Sequence, residues 1–323
     1  QADIVISMLP ARYHVDVAKD CIASKKHLIT PSYISTEMQA LNEETQKAGI
    51  LIMNEVGLDP GIDHMSAMKI IHELKAKNAR ITSFKSYCGG LIAPQSDTNP
   101  WNYKFTWNPR NVVLAGQGGV ARFINHGEYK YIPYSQLFKR LDQIQLEGGG
   151  SFEGYANRDS LSYRNVYGLD DIPTILRGTL RKSGFCDAWN VFVSLGMTDD
   201  SYGIDNAESL TPRMFLNAFL PYDSVLTVEE KFKQFLGENS AELYPKFEWL
   251  GLFKNDSVCG FKGATPAQIL ESILVDKWVL DPQDKDMIVM HHEFEYALNE
   301  AHYKLSSSMI NICEDQTYTA MSN

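Results

Sequence analysis

The sequence predicts an α/β protein, with a parallel sheet wound by helices over residues 1–63 and an α+β region that carries a small helical subdomain. Three observations carry that prediction. Short apolar runs alternate with stretches of helical spacing at the start of the chain; from about residue 81 to 195 strand-like segments and Gly/Pro/Asn turns dominate; from 205 to 280 the spacing is helical again. At 323 residues the chain is too long for one ordinary core, so two or three domains are expected.

Residues 3–9 (DIVISML) form a continuous apolar run rich in Ile and Val, as in a strand buried on both faces of a parallel sheet, and Pro10 ends it. His14, Val17, Ala18, Cys21 and Ile22 follow at helical spacing, and residues 27–30 make a second strand. Ser35 is placed to cap a helix with Met38, Leu41, Thr45 and Ala48 on one face, Gly49 stops it, and residues 50–54 give a third strand. Strands joined by helical crossovers pair in parallel, which makes this part of a Rossmann-type dinucleotide-binding sheet. No G-x-G-x-x-G turn precedes the first strand, so the segment reads as starting inside such a domain, with NAD and NADP both left open.

After the Pro60-Gly61 turn, Asp63 is placed to cap a helix whose face is Ala67, Ile70, Ile71 and Leu74. Residues 81–88 (ITSFKSYC) alternate like a half-exposed strand, ended by Gly89-Gly90, and Gly148-Gly149-Gly150 marks a later turn. The segments MFLNAF, VEEKFKQFL, YPKFEWLGLF and TPAQILESILVDKWV carry helical spacing, and residues 287–296 and 304–312 return as strands. The expected domains are therefore 1–63, a partial dinucleotide-binding domain; 64–204, an α+β substrate and dimerisation domain; and 205–280, helical. Residues 281–312 would rejoin the second domain's sheet, and 313–323 would begin a helix returning to the first.

Composition excludes several function classes. A net charge of −10 without a dense Lys/Arg cluster argues against a nucleic-acid partner. No apolar run approaches the roughly eighteen residues of a membrane span. Cys21, Cys88, Cys186, Cys259 and Cys313 are odd in number and widely spaced, which suggests neither a disulfide framework nor a zinc site and fits a reducing cytoplasm. No metal is implied.

The stretch at 54–64 (NEVGLDPGIDH) places the carboxylates of Asp59 and Asp63, a Pro-Gly turn and a histidine where a buried strand ends, which is where open α/β sheets bind ligands. Asp63 serves as a helix cap in the simplest reading, whereas Asp59, outside the helix, has no such duty. His64 is open to a metal, base or packing role. Residues 155–160 (YANRDS) and 177–181 (RGTLR) bring three arginines able to grip carboxylates in bidentate fashion, with surface ion pairing as the alternative for each. Residues 87–90 (YCGG) put a thiol near a strand end, and 104–110 (KFTWNPR) mix aromatics with cations.

In order, the segments DIVISMLP, HLITPSYIS, NEVGLDPGIDH, SYCGGLIAP, NPWNYKFTW, YANRDS and RGTLR resemble the glutamate-forming saccharopine dehydrogenase family, with Ala156 where that family usually has proline. The resemblance implies oxidation of saccharopine by NAD or NADP with water, giving glutamate and 2-aminoadipate semialdehyde in lysine metabolism, by a homodimer. It also implies that Ser32, Tyr33, Asp59, Arg158, Leu180, Arg181 and Lys182 contact saccharopine. The nicotinamide half of the cofactor would be lined by Ser7, Leu9, Pro10, Thr30, Leu58, Pro60, Gly61 and Ile62, with Asn108 as a further contact. Asp59 and Cys88 are the candidates for proton handling. Two rivals stay open: a related amino-acid or polyamine imine oxidoreductase, and a non-catalytic ligand-binding or assembly fragment.

Overall fold

Three short strands organise the N-terminal residues, because each apolar run is followed by a helix that can return over the sheet. The computed structural model describes residues 2–146, 148–314 and 320. It divides into two compact units, Gln1–Arg80 with Ala297–Ala301, and Ile81–Tyr296 with His302–Asn323.

In the first unit, β1 (Ile4–Ile6), α1 (His14–Ser24), β2 (His27–Ile29), α2 (Thr36–Ala40), α3 (Asn42–Ala48), β3 (Ile52–Met53) and α4 (Ile62–Ala76) follow in order. The strands pair in parallel in the order β1-β2-β3, with Val5 opposite Leu28 and Leu28 opposite Ile52. The Ser35 side chain accepts from the Met38 N–H at 3.1 Å, as its capping position predicts. Gly49 stops α3 in the left-handed conformation. The single helix expected over this stretch is two, with Leu41 at the junction, yet Met38, Leu41 and Thr45 still share the buried face.

Ala18, Cys21, Leu28, Met38 and Leu41 form the core beneath that face. The expectation that the first strand is buried on both sides is corrected: Ile4 and Ile6 are 52% and 65% exposed, and Leu51 and Met53 also face outward. Val5, Leu28 and Ile52 alone turn toward the helices. An Ile/Val-rich run reports that a strand is apolar, not which face a helix covers.

The second unit is built on an eight-stranded sheet. Its elements are β4 (Arg80–Ile92), α5 (Pro109–Val113), β5 (Ala121–Asn125), β6 (Glu128–Ile132), α6 (Tyr134–Leu137), β7 (Asp142–Leu146), β8 (Gly150–Ala156), α7 (Tyr163–Val166), β9 (Thr174–Lys182), α8 (Phe185–Leu195), α9 (Pro212–Phe219), α10 (Val228–Leu236), α11 (Ser240–Leu250), α12 (Pro266–Lys277), β10 (Asp286–Leu298) and β11 (Ala301–Ile312). The main path is β11-β10-β4-β9-β5-β6, and β8 joins β9 and β7 beside it. The two late strands thus rejoin this sheet as expected.

Two readings of β4 are corrected. It is a central, largely buried strand, and it runs through Gly89-Gly90 to Ile92. The glycine at 89 answers to a neighbour, since a Cβ there would lie 2.8 Å from the Leu180 carbonyl oxygen of β9. The sequence also gave no warning of α8, whose buried residues Phe185, Cys186, Ala188, Trp189, Val191, Phe192 and Val193 leave little polar face to set a helical period. The expected helix over 315–323 lies, except for residue 320, outside the described residues.

The helices from α8 onward share one core with the sheet. Trp101 is stacked on Phe192 at 5.7 Å, meets Phe185, Phe247 and Trp278 edge-on, and donates from its indole N–H to the Lys246 carbonyl at 2.9 Å.

Candidate active site

The carboxyl ends of β1, β2 and β3 converge in the first unit, and the residues singled out there lie on the loops that leave them. The Ser7 N–H donates to the Ile29 carbonyl at 2.9 Å, which carries strand pairing past β1 and fixes where the Ser7 hydroxyl begins. Ser7 Oγ lies 3.0 Å from His14 Nδ1, and Ser32 Oγ lies 2.8 Å from His14 Nε2. A buried imidazole therefore bridges the exits of β1 and β2. Burial holds the His14 pKa below its ordinary 6.5, so the ring is neutral near pH 7. Thr30 is fully buried, and its Oγ1 accepts from the Ser32 N–H at 3.2 Å. Leu9 is exposed, as are Met8 and Pro10.

After β3 the chain makes a closed turn. The Gly57 N–H donates to the Pro60 carbonyl at 2.9 Å, Ile62 N–H to Gly57 at 2.9 Å, and Asp63 N–H to Leu58 at 3.0 Å. The Asp59–Pro60 peptide is cis. The Tyr33 hydroxyl donates to Asp59 Oδ1 at 2.6 Å, joining the loop after β2 to this turn.

The capping role expected of Asp63 is corrected. Gly61 occupies the cap position, and Asp63, inside the first turn and buried, reaches back to accept from the Gly61 N–H at 2.7 Å. The backward reach still satisfies a free donor at the helix start, from a different position. His64 lies 3.4 Å from Glu55 Oε2 and 3.6 Å from Asp63 Oδ2, and Glu55 Oε1 accepts from the Ile34 N–H at 3.1 Å.

Two residues of this cluster escaped the sequence reading. His14 was counted only as a helix-face residue, and Glu55 not at all. A polar ring on an otherwise apolar helix face is the available signal for His14, and for Glu55 its place within the 54–64 stretch.

In the second unit the three arginines have different surroundings. Arg158 is exposed in the loop after β8 and makes no ion pair among the described residues, while the adjacent Asp159 pairs with Arg122 at 2.5 Å. The Arg177 guanidinium is buried over the Tyr163 ring at 4.2 Å. That of Arg181 is buried 5.3 Å from the Tyr103 ring, 5.7 Å from Tyr155 and 5.5 Å from Phe185, and it donates to the Leu180 carbonyl at 2.8 Å. Burial pushes the Tyr155 hydroxyl up to about 12, with Arg181 pulling against it.

Leu180 is fully buried on β9, and Lys182 pairs with Asp97 at 2.7 Å. Cys88 is buried on β4 opposite Thr179 of β9. Asn108 caps α5, accepting from the Asn111 N–H at 3.2 Å.

Comparison with known proteins gives the class first. A model described as the saccharopine dehydrogenase NADP binding domain matches residues 1–53, and one described as the saccharopine dehydrogenase C-terminal domain matches residues 57–323. The saccharopine dehydrogenase [NADP(+), L-glutamate-forming] of Pyricularia oryzae is 33% identical over 97% of this chain and 70% of its own length. That of Saccharomyces cerevisiae is 34% identical over 90% of this chain and 66% of its own length. The mitochondrial alpha-aminoadipic semialdehyde synthase of Rattus norvegicus is 37% identical over 90% of this chain, but the match covers only 32% of that protein. The solved apo structure of the yeast L-Glu-forming enzyme superposes with a TM-score of 0.88 at 31% identity, covering 99% of this chain and 73% of that one. The chain belongs to the saccharopine dehydrogenase family.

Proposed function

We propose that this protein is an NADP-dependent oxidoreductase acting on a CH–NH donor, converting saccharopine, NADP+ and water to glutamate, 2-aminoadipate 6-semialdehyde and NADPH in lysine metabolism. The observation that carries the reading is the cluster of Ser7, His14, Ser32, Tyr33 and Asp59 at the carboxyl edge of a parallel sheet, in a chain of this family. Residues 1–63 would serve the cofactor, and 64–204 would carry much of the substrate contact.

The residues present fit a nicotinamide nucleotide. The Ser7 hydroxyl sits at a strand exit beside exposed Met8 and Leu9, a combination of polar and apolar surface suited to a flat heteroaromatic amide. Pro10, Thr30 and the Leu58–Ile62 turn would line the cofactor's nicotinamide half, and Asn108 is proposed as a further cofactor contact. When bound, the cofactor accepts a hydride from the carbon bearing saccharopine's secondary amine.

The chain's own residues then hold and orient. Ser32, Tyr33 and Asp59 would take the substrate's amine and a nearby carboxylate, with Asp59 stabilising positive charge as nitrogen becomes an imine. Water hydrolyses the imine, and alignment of one C–H supplies much of the rate. Arg158 would hold a substrate carboxylate, and Leu180, Arg181 and Lys182 would shape that part of the site, Leu180 through its carbonyl on Arg181.

The deciding experiment follows absorbance at 340 nm with saccharopine and either NADP+ or NAD+. NADPH formation is expected, and silence with both cofactors from folded protein overturns the reading. Arg158→Ala is expected to raise the KM for saccharopine roughly 10–100-fold, the loss of one charged hydrogen bond. Affinity indifferent to that change would favour an oxidoreductase of another imine.

We also propose a homodimer in a reducing compartment, the cytoplasm. β11 is an edge strand of twelve residues with Tyr303, Ile310 and Ile312 exposed, an invitation to pair with a second copy. The cysteines at 21, 88, 186, 259 and 313 are all free thiols. Among the described residues no helix is long and apolar enough to cross a membrane. Sedimentation equilibrium is expected to give twice the chain mass, and a single chain mass at micromolar concentration would remove the dimer.

A further inference from the structure

The imidazole of His14 lies between two hydroxyls of the proposed site, and its chemistry sets what those hydroxyls can do. A neutral imidazole has one N–H donor and one lone-pair acceptor. With Ser7 on Nδ1 and Ser32 on Nε2, one serine must therefore donate to the ring and the other must accept from it. The serine that accepts keeps its own proton for another partner. The serine that donates is left with lone pairs.

We propose that His14 is a positioning residue, held as the neutral Nε2–H tautomer, which accepts a hydrogen bond from the Ser7 hydroxyl at Nδ1 and donates from Nε2 to Ser32 Oγ, so that Ser32 presents its O–H as a donor to a substrate carboxylate. The proposal rests on the functional reading above and adds the direction of the hydrogen-bond chain. In the opposite tautomer Ser32 would donate to the ring and turn only lone pairs toward the substrate, which repels a carboxylate. The remaining contacts fix where the two serines sit and leave the hydroxyl protons to the ring. The Ser32 N–H is engaged by Thr30 Oγ1 and the Ser7 N–H by the Ile29 carbonyl, so the backbone holds both serines while the ring decides their protons. Burial keeps the ring neutral, without which neither tautomer would exist. Ser7, left as an acceptor, suits the amide N–H of a nicotinamide on the cofactor side.

The first test is nitrogen NMR of the unaltered protein with labelled histidine. His14 is expected near pH 7 with a protonated Nε2 and an unprotonated Nδ1, and the reverse pattern or a doubly protonated ring overturns the assignment. The second is kinetic. His14→Leu removes both bonds at similar volume and is expected to raise the KM for saccharopine about tenfold, with kcat changed less than about threefold; His14→Gln, whose amide can donate at the Nε2 position, is expected to recover much of the loss. An unchanged KM in His14→Leu would also overturn it. Should the leucine variant fail to fold, the tautomer measurement decides alone. Absence of saccharopine turnover in the parent would sink the functional reading, and the spectrum would still decide the state of His14.

Discussion

Asp59→Ala is expected to lower saccharopine turnover by about two orders of magnitude, the scale of loss when a reacting group is misplaced by about an ångström. The Asp59 carboxylate accepts a short hydrogen bond from Tyr33, so its removal deletes a negative charge and that bond together. In the proposed reaction saccharopine's amine gains positive character as the hydride leaves, and a fixed carboxylate placed beside it would favour that change without reorganising water. Cys88→Ala supplies the contrast. That thiol is buried in a central strand opposite Thr179, so its loss removes packing and is expected to cost less than about tenfold in turnover. Steady-state kinetics of the two variants beside the parent decide the ranking, and equal losses would refute it. Tyr33→Phe should fall between them, because it keeps the Asp59 charge and gives up the tether.

The fold was legible where local chemistry dictates it. Ser35 and Gly49 bound their helices because a hydroxyl cap and a left-handed stop act within a few residues. Strand faces were not legible in the same way: Ile4 and Ile6 look like core residues, yet their exposure depends on which side the helices take. Gly89-Gly90 reads as a break in any local scheme, whereas the glycine at 89 exists for the approach of β9 from ninety residues further on. The site divides along the same line. Asp59 stood out by its place before a proline, and Tyr33 only through the family resemblance, but their bond across twenty-six positions needs the parallel pairing of β2 with β3. His14 was invisible as a site residue because its two partners come from different strand exits. Among the arginines, spacing alone could not separate exposed Arg158 from Arg177 and Arg181, which aromatic rings enclose.

Gly61→Ala is expected to destabilise the first unit by about 3 kcal/mol or more and to abolish most activity, while Gly49→Ala costs only about 1–2 kcal/mol. Both glycines have positive φ, +151° at Gly61 and +70° at Gly49. They differ in what surrounds the missing side chain. A Cβ at Gly49 meets nothing within 4 Å, so the cost there is conformational alone. At Gly61 it would lie 2.1 Å from the Gly57 carbonyl oxygen and 2.5 Å from the Gly57 nitrogen, backbone atoms that no rotamer change can move. Gly57 also closes the turn by donating to Pro60 and accepting from Ile62, so displacing it opens the loop that presents Asp59 and loosens the start of α4. Urea midpoints of the two variants separate the causes. A far larger shift for Gly61→Ala would show that the close approach governs, whereas equal shifts would assign both costs to φ and remove the argument that this turn holds Asp59 in place.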